Sequence, residues 1–198
     1  MTQDATGPAF RPIHNDRVRF YLDHFKIIEE WAAIRGEANE ELHNLFLNQV
    51  DTLAQEVLAR GHKDIDVRAD EETNPRKPRI VMSKHGWQNA AGQAPAAIVI
   101  EWHNPSINRH GEFTMYVGVR VGDRGVRDER VADRLSGLAP QLRRTLGQPW
   151  EAESESFPVW RWILQDGDTL DEGSLLAEAR AAAWKCWDVC SGVIDEVV

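Results

Sequence analysis

The sequence predicts an α+β fold in which an N-terminal helical hairpin packs on a mainly antiparallel sheet of four to five strands, followed by two further C-terminal helices. Three observations lead to this prediction. Apolar residues recur at helical spacing over residues 15–61, short strand-like segments follow one another between residues 65 and 121, and helical spacing returns from Val131. Consecutive strands with short links favour antiparallel pairing over a doubly wound parallel sheet.

The first helical segment carries two apolar stripes. One stripe contains Val18, Tyr21, Leu22, Phe25, Ile28 and Ala32, and the other contains Phe20, Ile27, Trp31 and Ile34. A helix with two apolar sides is expected to lie between other elements. Gly36 is expected to end this helix and Gly61 to end the next, which makes residues 15–61 the hairpin. Residues 1–14 are predicted to be a disordered lead-in, and residues 15–198 a single α+β domain.

Four strands are predicted next, from alternating apolar residues and turn signals. The segments are residues 65–67, 79–82, 96–103 and 113–121. Leucines at helical spacing then predict a helix from Val131 to Leu146, with Gly137 and Pro140 expected to kink or divide it. A fifth strand is predicted at Val159–Leu164, with two tryptophans on one face. Thr169 and Glu172 form a potential capping box for the last helix.

Composition limits the classes of function. The formal net charge is −9 and the pI is near 5.3, which argue against indiscriminate coating of nucleic acid or anionic membranes. The longest apolar stretch, near residues 96–100, is far shorter than a membrane-spanning helix requires, so no membrane interaction is expected. The absence of a secretory signal pattern and the presence of only two cysteines, Cys186 and Cys190, predict a cytoplasmic protein.

One cluster of residues could carry metal chemistry. Glu101, His103, His110 and Glu112 flank the turn between the third and fourth predicted strands, and imidazole and carboxylate groups are ligands for zinc and related divalent metal ions. The alternative interpretation is a polar hairpin end that keeps the sheet edge in water, with no cofactor.

A second candidate is a basic surface. Between Arg120 and Arg144 there are seven arginines and four acids, whereas eleven acids follow from Glu151 onward. The candidate binding residues are Arg127, Arg130, Arg134, Arg143 and Arg144. Such a surface could contact the phosphates of nucleic acid or an acidic protein partner. The interleaved acids allow the alternative that these arginines form intrahelical ion pairs on a solvated face.

The last third of the chain shows a further pattern. Leu138 and Leu142 precede Arg143-Arg144-Thr145-Leu146-Gly147, followed by Trp150-Glu151, the strand Val159–Leu164 and a helix with tryptophans. This pattern resembles an uncharacterised accessory domain found beside nuclease cores of the PD-(D/E)XK type in bacterial proteins. The resemblance implies a setting in bacterial defence or nucleic-acid metabolism. A nuclease of that type would use Glu101 and His103, with Asp64 or Asp66 as the upstream acid, but this sequence lacks the lysine of the E-x-K motif.

Three functions follow from these observations. The first is a non-catalytic cytoplasmic interaction module that binds a protein partner or, through the Arg120–Arg144 region, nucleic acid. The second is a metal-dependent nuclease that uses Glu101, His103 and Asp66, with the metal activating water. The third is an acidic inhibitor or immunity protein that uses the carboxylates of the C-terminal third against a basic partner.

Overall fold

The fold is α+β in the computed structural model, which describes residues 15–70, 78–102, 114–122, 127–154, 156–164 and 171–198. The helices are α1 (Asp16–Leu47), α2 (Gln49–Ala59), α3 (Glu129–Leu146) and α4 (Glu172–Val197). The strands are β1 (Ile65–Asp70), β2 (Arg79–Lys84), β3 (Ala96–Trp102), β4 (Thr114–Val121), β5 (Glu151–Ser154) and β6 (Phe157–Leu164). The chain divides into two compact units between Ala38 and Asn39.

The first unit contains the greater part of α1. Asn15 caps this helix, because its side-chain oxygen accepts hydrogen bonds from the backbone N–H groups of Arg17 and Val18. The predicted end at Gly36 is wrong, since α1 continues through this glycine to Leu47. A glycine inside a helix costs only about 1 kcal/mol relative to alanine, and the arginine, alanine and glutamates around it are strong helix formers.

The second unit begins with the last turns of α1, and the division between the first two helices falls at Asn48. Phe46, Leu53 and Val57 are buried in the same core as the sheet residues, and α2 contacts β1. The part of the predicted hairpin that follows residue 38 therefore packs on the sheet.

The sheet has six antiparallel strands in the order β1-β2-β3-β4-β6-β5. Five of these strands lie where the sequence predicted strands. The additional one, β5, has the sequence EAES, and so few apolar residues give no alternating signal. Since β6 pairs with β4 across the intervening α3 and β5, the centre of the sheet combines strands that are distant in sequence.

The two faces of the sheet differ in character. The side chains of Ala96, Ile98, Ile100 and Trp102 on β3 belong to the large core, together with buried residues of α2, α3 and α4. The alternate residues of β3 lie on the opposite face, where a smaller cluster contains Val81, Ala97 and Val99. The opposite face also carries buried charged groups.

The last two helices are capped by aspartates. Asp128 accepts hydrogen bonds from the backbone N–H groups at the start of α3, which is one helix in spite of the internal Pro140. Asp171 accepts from Ser174 at the start of α4. The cap of α4 is therefore Asp171, and Thr169, the predicted capping residue, lies outside the described residues. No helix in the described ranges is long and apolar enough to cross a bilayer.

The tryptophans differ in burial. Trp102 and Trp187 are buried and Trp162 is half-buried. Trp31 belongs to an apolar stripe of α1 that was expected to lie against other elements, and this expectation is wrong for Trp31, because 67% of the residue is exposed. Periodicity shows that one side of a helix is apolar but does not show what lies against that side.

Candidate functional site

A row of polar and aromatic residues crosses the sheet on the face opposite the large core. Asp70, Arg79, Glu101, Tyr116 and Trp162 occupy directly paired positions on β1, β2, β3, β4 and β6. Residues at paired positions of neighbouring strands point to the same face and lie within interaction distance. The pairing of the strands therefore brings five residues from distant parts of the chain into one line, which we call the central row.

The charges in the central row are paired with one another. Arg79 Nε lies 3.6 Å from Asp70 Oδ2 and 3.6 Å from Glu101 Oε2. Arg120, four residues beyond Tyr116 on β4, reaches the same Glu101 oxygen with its Nη1 at 3.0 Å. Asp70, Arg79 and Glu101 are almost fully buried. Buried charges are tolerated in a fold only when they are compensated in this way.

Tyr116 completes the surroundings of Glu101. Its hydroxyl donates a hydrogen bond to Glu101 Oε1. Burial of the phenol, and then the negative charge of Glu101, raise the pKa of Tyr116 far above its ordinary value. The hydroxyl therefore stays protonated at physiological pH and serves as a hydrogen-bond donor.

Glu101 was predicted as a catalytic residue and as a metal ligand. In the structure both of its carboxylate oxygens accept from other side chains, one from Tyr116 and the other from Arg120. The remaining members of the predicted metal set, His103, His110 and Glu112, lie outside the described residues. Among the residues that are described, no group of three or more histidines, cysteines, aspartates or glutamates is arranged to hold a metal ion.

Asp66, the predicted upstream acid, lies elsewhere on the same face. It is directly paired with Ser83 on the neighbouring strand β2. Its Oδ2 accepts hydrogen bonds from the side chains of Arg68 at 2.9 Å and Gln88 at 3.0 Å. The acid in the same row as Glu101 is Asp70, four residues further along β1, with Arg79 between the two carboxylates. Sequence reasoning missed Asp70, because only the register of β1 on β2 places it there.

Aromatic rings continue the central row on β6. Trp162 lies perpendicular to Tyr116 with ring centroids 5.6 Å apart, and Trp160 lies perpendicular to Trp162 at 5.3 Å. Gly118 on β4 pairs with Trp160 and leaves room for it, since a Cβ atom there would come within 2.7 Å of the Cβ of Trp160. The prediction that the two tryptophans of this strand share one face is confirmed.

The predicted arginine surface is distributed over more than one side of α3. Arg127 precedes the helix and pairs with Glu129 at 3.0 Å. Arg143 donates from Nε to the backbone oxygen of Trp150 at 3.2 Å. At about 100° per residue, Arg143 points about 180° away from Arg134 around the helix axis.

Three of the five arginines do share a face. Arg130, Arg134 and Arg144 are exposed and fall within an arc of about 80° on α3. Arg130 lies 3.9 Å from the capping Asp128, in an ion pair that is open to solvent. The structure therefore places these three residues on one side of α3, and it places Arg127 and Arg143 in local contacts with their own neighbours.

A groove of about 330 Å³ lies between α2 and α4. Arg180 donates to Glu56 at 3.1 Å, Trp184 donates to the other oxygen of Glu56 at 2.5 Å, and the guanidinium of Arg60 lies 3.9 Å from the centre of a Trp184 ring. Arg60 also lies 3.7 Å from Asp188. Because each of these charged groups already has a partner within the chain, the contacts act to hold the two helices together.

Most of the exposed large hydrophobic residues in the described part of the chain, eight of eleven, lie on the N-terminal part of α1. Between residues 18 and 34, which we call the docking segment, eight large hydrophobic side chains are exposed to solvent. They are Val18, Phe20, Tyr21, Leu22, Phe25, Ile27, Trp31 and Ile34. Both apolar stripes found in the sequence are present on this helix, but the expectation that other elements cover them is wrong for the described chain.

Two contacts within the docking segment are local. Tyr21 donates its hydroxyl to Glu29 at 2.5 Å, two turns along the helix. This hydrogen bond, together with the charge of Glu29, raises the pKa of Tyr21. The ring of Phe20 lies 4.5 Å from that of His24.

Comparisons of this chain with known protein families, with curated proteins and with solved structures find no match.

Proposed function

We propose that this protein is a non-catalytic interaction module and that the docking segment of α1 is the surface by which it binds a protein partner. One observation carries the proposal, namely the exposure of eight large hydrophobic side chains on this single stretch of helix. A soluble helix normally exposes one polar side. A helix that is apolar over most of its circumference is normally buried.

The size of the exposed surface supports this proposal. An aromatic side chain removes about 150–250 Å² of its own surface from water when it is fully buried. Phe20, Tyr21, Phe25 and Trp31 are between 41% and 67% exposed, so they leave on the order of 400 Å² open to water. Four aliphatic residues add to this area. The eight residues lie in two stripes, and each stripe leaves an apolar area on the order of 300–500 Å², which is the size of the largest and often functional patch of a monomer.

The contacts of Glu101 favour a binding role over the nuclease alternative. A catalytic carboxylate must present an oxygen to a metal ion or to water. Both oxygens of Glu101 are used by Tyr116 and Arg120, and the nearest acid in its row is separated from it by Arg79. These contacts support a structural role for Glu101. A setting in bacterial defence or nucleic-acid metabolism remains a prediction that depends on the sequence resemblance alone.

Four of the eleven acids of the C-terminal third are engaged within the chain, and these four count against the acidic-inhibitor alternative. Glu178 binds Arg161, Asp188 lies beside Arg60, and Asp195 accepts from Lys84 and Trp87. Asp171 caps α4. A carboxylate surface that binds a basic partner needs uncommitted acids, whereas these four are engaged with groups of their own chain.

Site-specific photocrosslinking tests the proposal. A photoreactive benzoylphenylalanine is placed at Trp31, and in a matched control at Lys26, in cells that naturally produce the protein. Because position 26 lies about 140° from position 31 around the helix, we expect a discrete protein adduct from position 31 and none from position 26. The captured protein, once purified, should bind Ile27→Glu at least tenfold more weakly than wild type. Leu58→Glu, the same kind of change at an exposed leucine of α2, should bind normally.

The proposal is overturned if position 31 gives no adduct, or if the captured protein binds Ile27→Glu as tightly as it binds wild type. Binding that Leu58→Glu weakens equally would also overturn it, because the effect would then not be specific to the docking segment.

A further inference from the structure

We infer that the partner of the docking segment is a second copy of this chain, bound through α1 in a parallel two-helix coiled coil. This inference rests on the proposed function, because it uses the same exposed helix. It adds the identity of the partner, the residues at the contact and the direction of the two helices. Three observations carry it: the spacing of the apolar residues, their exposure and the placement of the charges.

The spacing of one apolar stripe is that of a coiled coil. The residues Phe20, His24, Ile27, Trp31, Ile34 and Ala38 follow one another at alternating intervals of four and three. This alternation gives the average repeat of 3.5 residues that keeps a seam facing a partner helix. Phe20, Ile27 and Ile34 occupy the d positions, and His24, Trp31 and Ala38 occupy the a positions. Together with Arg17 at the preceding a position, the repeat extends over three heptads.

Exposure identifies the same stripe as the uncovered one. The large hydrophobic residues of this seam, Phe20, Ile27, Trp31 and Ile34, are between 52% and 67% exposed. Those of the second stripe, Val18, Tyr21, Leu22 and Phe25, are between 41% and 49% exposed. Val18, Tyr21, Phe25 and Ile28 of the second stripe are also spaced by threes and fours, so exposure is what distinguishes the two stripes. The seam of Phe20, Ile27, Trp31 and Ile34 has the larger exposed fraction left to bury.

Charges beside the seam select a parallel arrangement. Every residue that immediately precedes an a position is acidic, namely Asp16, Asp23, Glu30 and Glu37. These are the g positions, and in an antiparallel pair each g column would face the acidic g column of the other copy. In a parallel pair each g residue faces the e position five residues further along the partner helix, which places Glu30 of one copy opposite Arg35 of the other. The other e positions, Tyr21 and Ile28, extend the apolar contact.

Self-association of the full chain tests this inference. We expect sedimentation equilibrium and light scattering to give twice the chain mass of 22.5 kDa at micromolar concentration. Ile27→Glu and Trp31→Glu should each raise the dissociation constant at least about hundredfold, because a dimer loses the buried side chain twice. Leu58→Glu should remain dimeric. Circular dichroism and the thermal transition of each variant establish that the second unit is still folded.

Disulfide trapping tests the direction of the helices. In a parallel pair the two residues at position 34 face each other across the seam, at a separation that suits a disulfide. Ile34→Cys, with Cys186 and Cys190 replaced by alanine, should therefore give a covalent dimer under mild oxidation. Leu58→Cys in the same background should give none.

Two sets of outcomes separate this inference from the proposed function. A purified chain that is monomeric at about 100 μM, a dimer that Ile27→Glu leaves intact, or a dimer without the disulfide at position 34 overturns the parallel self-association. If a different protein is nevertheless captured from Trp31 and its binding is lost in Ile27→Glu, the proposed function stands alone. A monomer that also captures nothing overturns both.

Discussion

Tyr116 on β4 donates a hydrogen bond from its hydroxyl to Glu101, its directly paired neighbour on β3, and together they join the charged and aromatic halves of the central row. On one side Glu101 continues into Arg79 and Asp70, and on the other Tyr116 continues into Trp162. The hydrogen bond is buried, so its donor and acceptor are both desolvated. The consequences of this arrangement can be measured as changes in stability.

Removal of the phenolic hydroxyl is expected to destabilise the protein. Tyr116→Phe leaves one oxygen of the buried Glu101 without its donor, and a buried unsatisfied group costs about 1–3 kcal/mol. Urea unfolding followed by tryptophan fluorescence measures the change. Tyr21→Phe is the matched control, because the Tyr21 hydrogen bond is exposed and its loss should leave stability unchanged. Equal effects of the two substitutions would contradict the structural role of the central row.

Neutralisation of Glu101 separates the structural role from a catalytic one. Glu101→Gln leaves Arg79 and Arg120 without their shared carboxylate, and the loss of one partner of a buried ion pair costs about 3–5 kcal/mol. We expect a lower urea midpoint, and no magnesium- or manganese-dependent cleavage of DNA or RNA by the wild-type protein. Cleavage by wild type that disappears in a folded Glu101→Gln variant would instead establish the nuclease alternative.

A side chain at position 118 should disturb the packing of β4 against β6. In Gly118→Ala the new Cβ would lie 2.5 Å from the backbone oxygen of Val159, so the strands must separate. Overpacking of this kind costs about 1–3 kcal/mol. Gly137→Ala in α3 is the control, since no atom beyond the neighbouring residues and backbone of its own helix lies within 4 Å of the added carbon, and alanine favours helix by about 0.5–1 kcal/mol. If both substitutions change the thermal midpoint in the same direction, this packing account fails.

The contact between β2 and α4 should contribute to stability in a pH-dependent way. Burial acts to raise the pKa of Asp195, but hydrogen bonds from Lys84 and Trp87 and the charge of Lys84 outweigh it, and the pKa is lowered. A lowered carboxyl pKa stabilises the fold above the pKa of the unfolded chain, and this contribution is lost as the pH falls through the folded-state value. Because the ion pair of Lys84 and Asp195 is partly exposed, we expect Asp195→Asn to lower the free energy of unfolding at pH 7 by less than about 1 kcal/mol.

The difference in the free energy of unfolding between wild type and Asp195→Asn should shrink progressively as the pH falls below about 4. Unfolding curves of the two proteins, recorded from neutral pH to below this value, measure that difference. Glu172→Gln, in the first turn of α4, is the comparison variant. A difference between wild type and Asp195→Asn that grows as the pH falls would show that the carboxylate does not act through its charged form.

Much of the architecture follows from local sequence signals. The α+β class, five of the six strands and the last two helices could be predicted, because apolar period and turn residues report on local backbone conformation. The end of α1 was missed because one glycine is a weak signal among strong helix formers. β5 was missed because EAES resembles an exposed loop, and pairing with β6 makes it a strand.

For the candidate site, the sequence could identify a single residue but not the residues that surround it. The sequence marked Glu101 as a noteworthy acid, but spacing alone could not bring Asp70, Arg79 and Tyr116 to it. Those neighbours come from strand register, and a shift of one residue would send every one of these side chains to the opposite face.

The sequence by itself determined which sides of each helix and strand are apolar, and hence the class of fold. Only the tertiary structure decided what lies against those sides: Trp187 is covered by the core whereas Trp31 is open to solvent, and Glu101 is held between Arg79, Arg120 and Tyr116. The physical reason is that periodicity is a property of neighbouring residues along the chain, whereas burial and charge pairing depend on contacts between segments far apart in sequence.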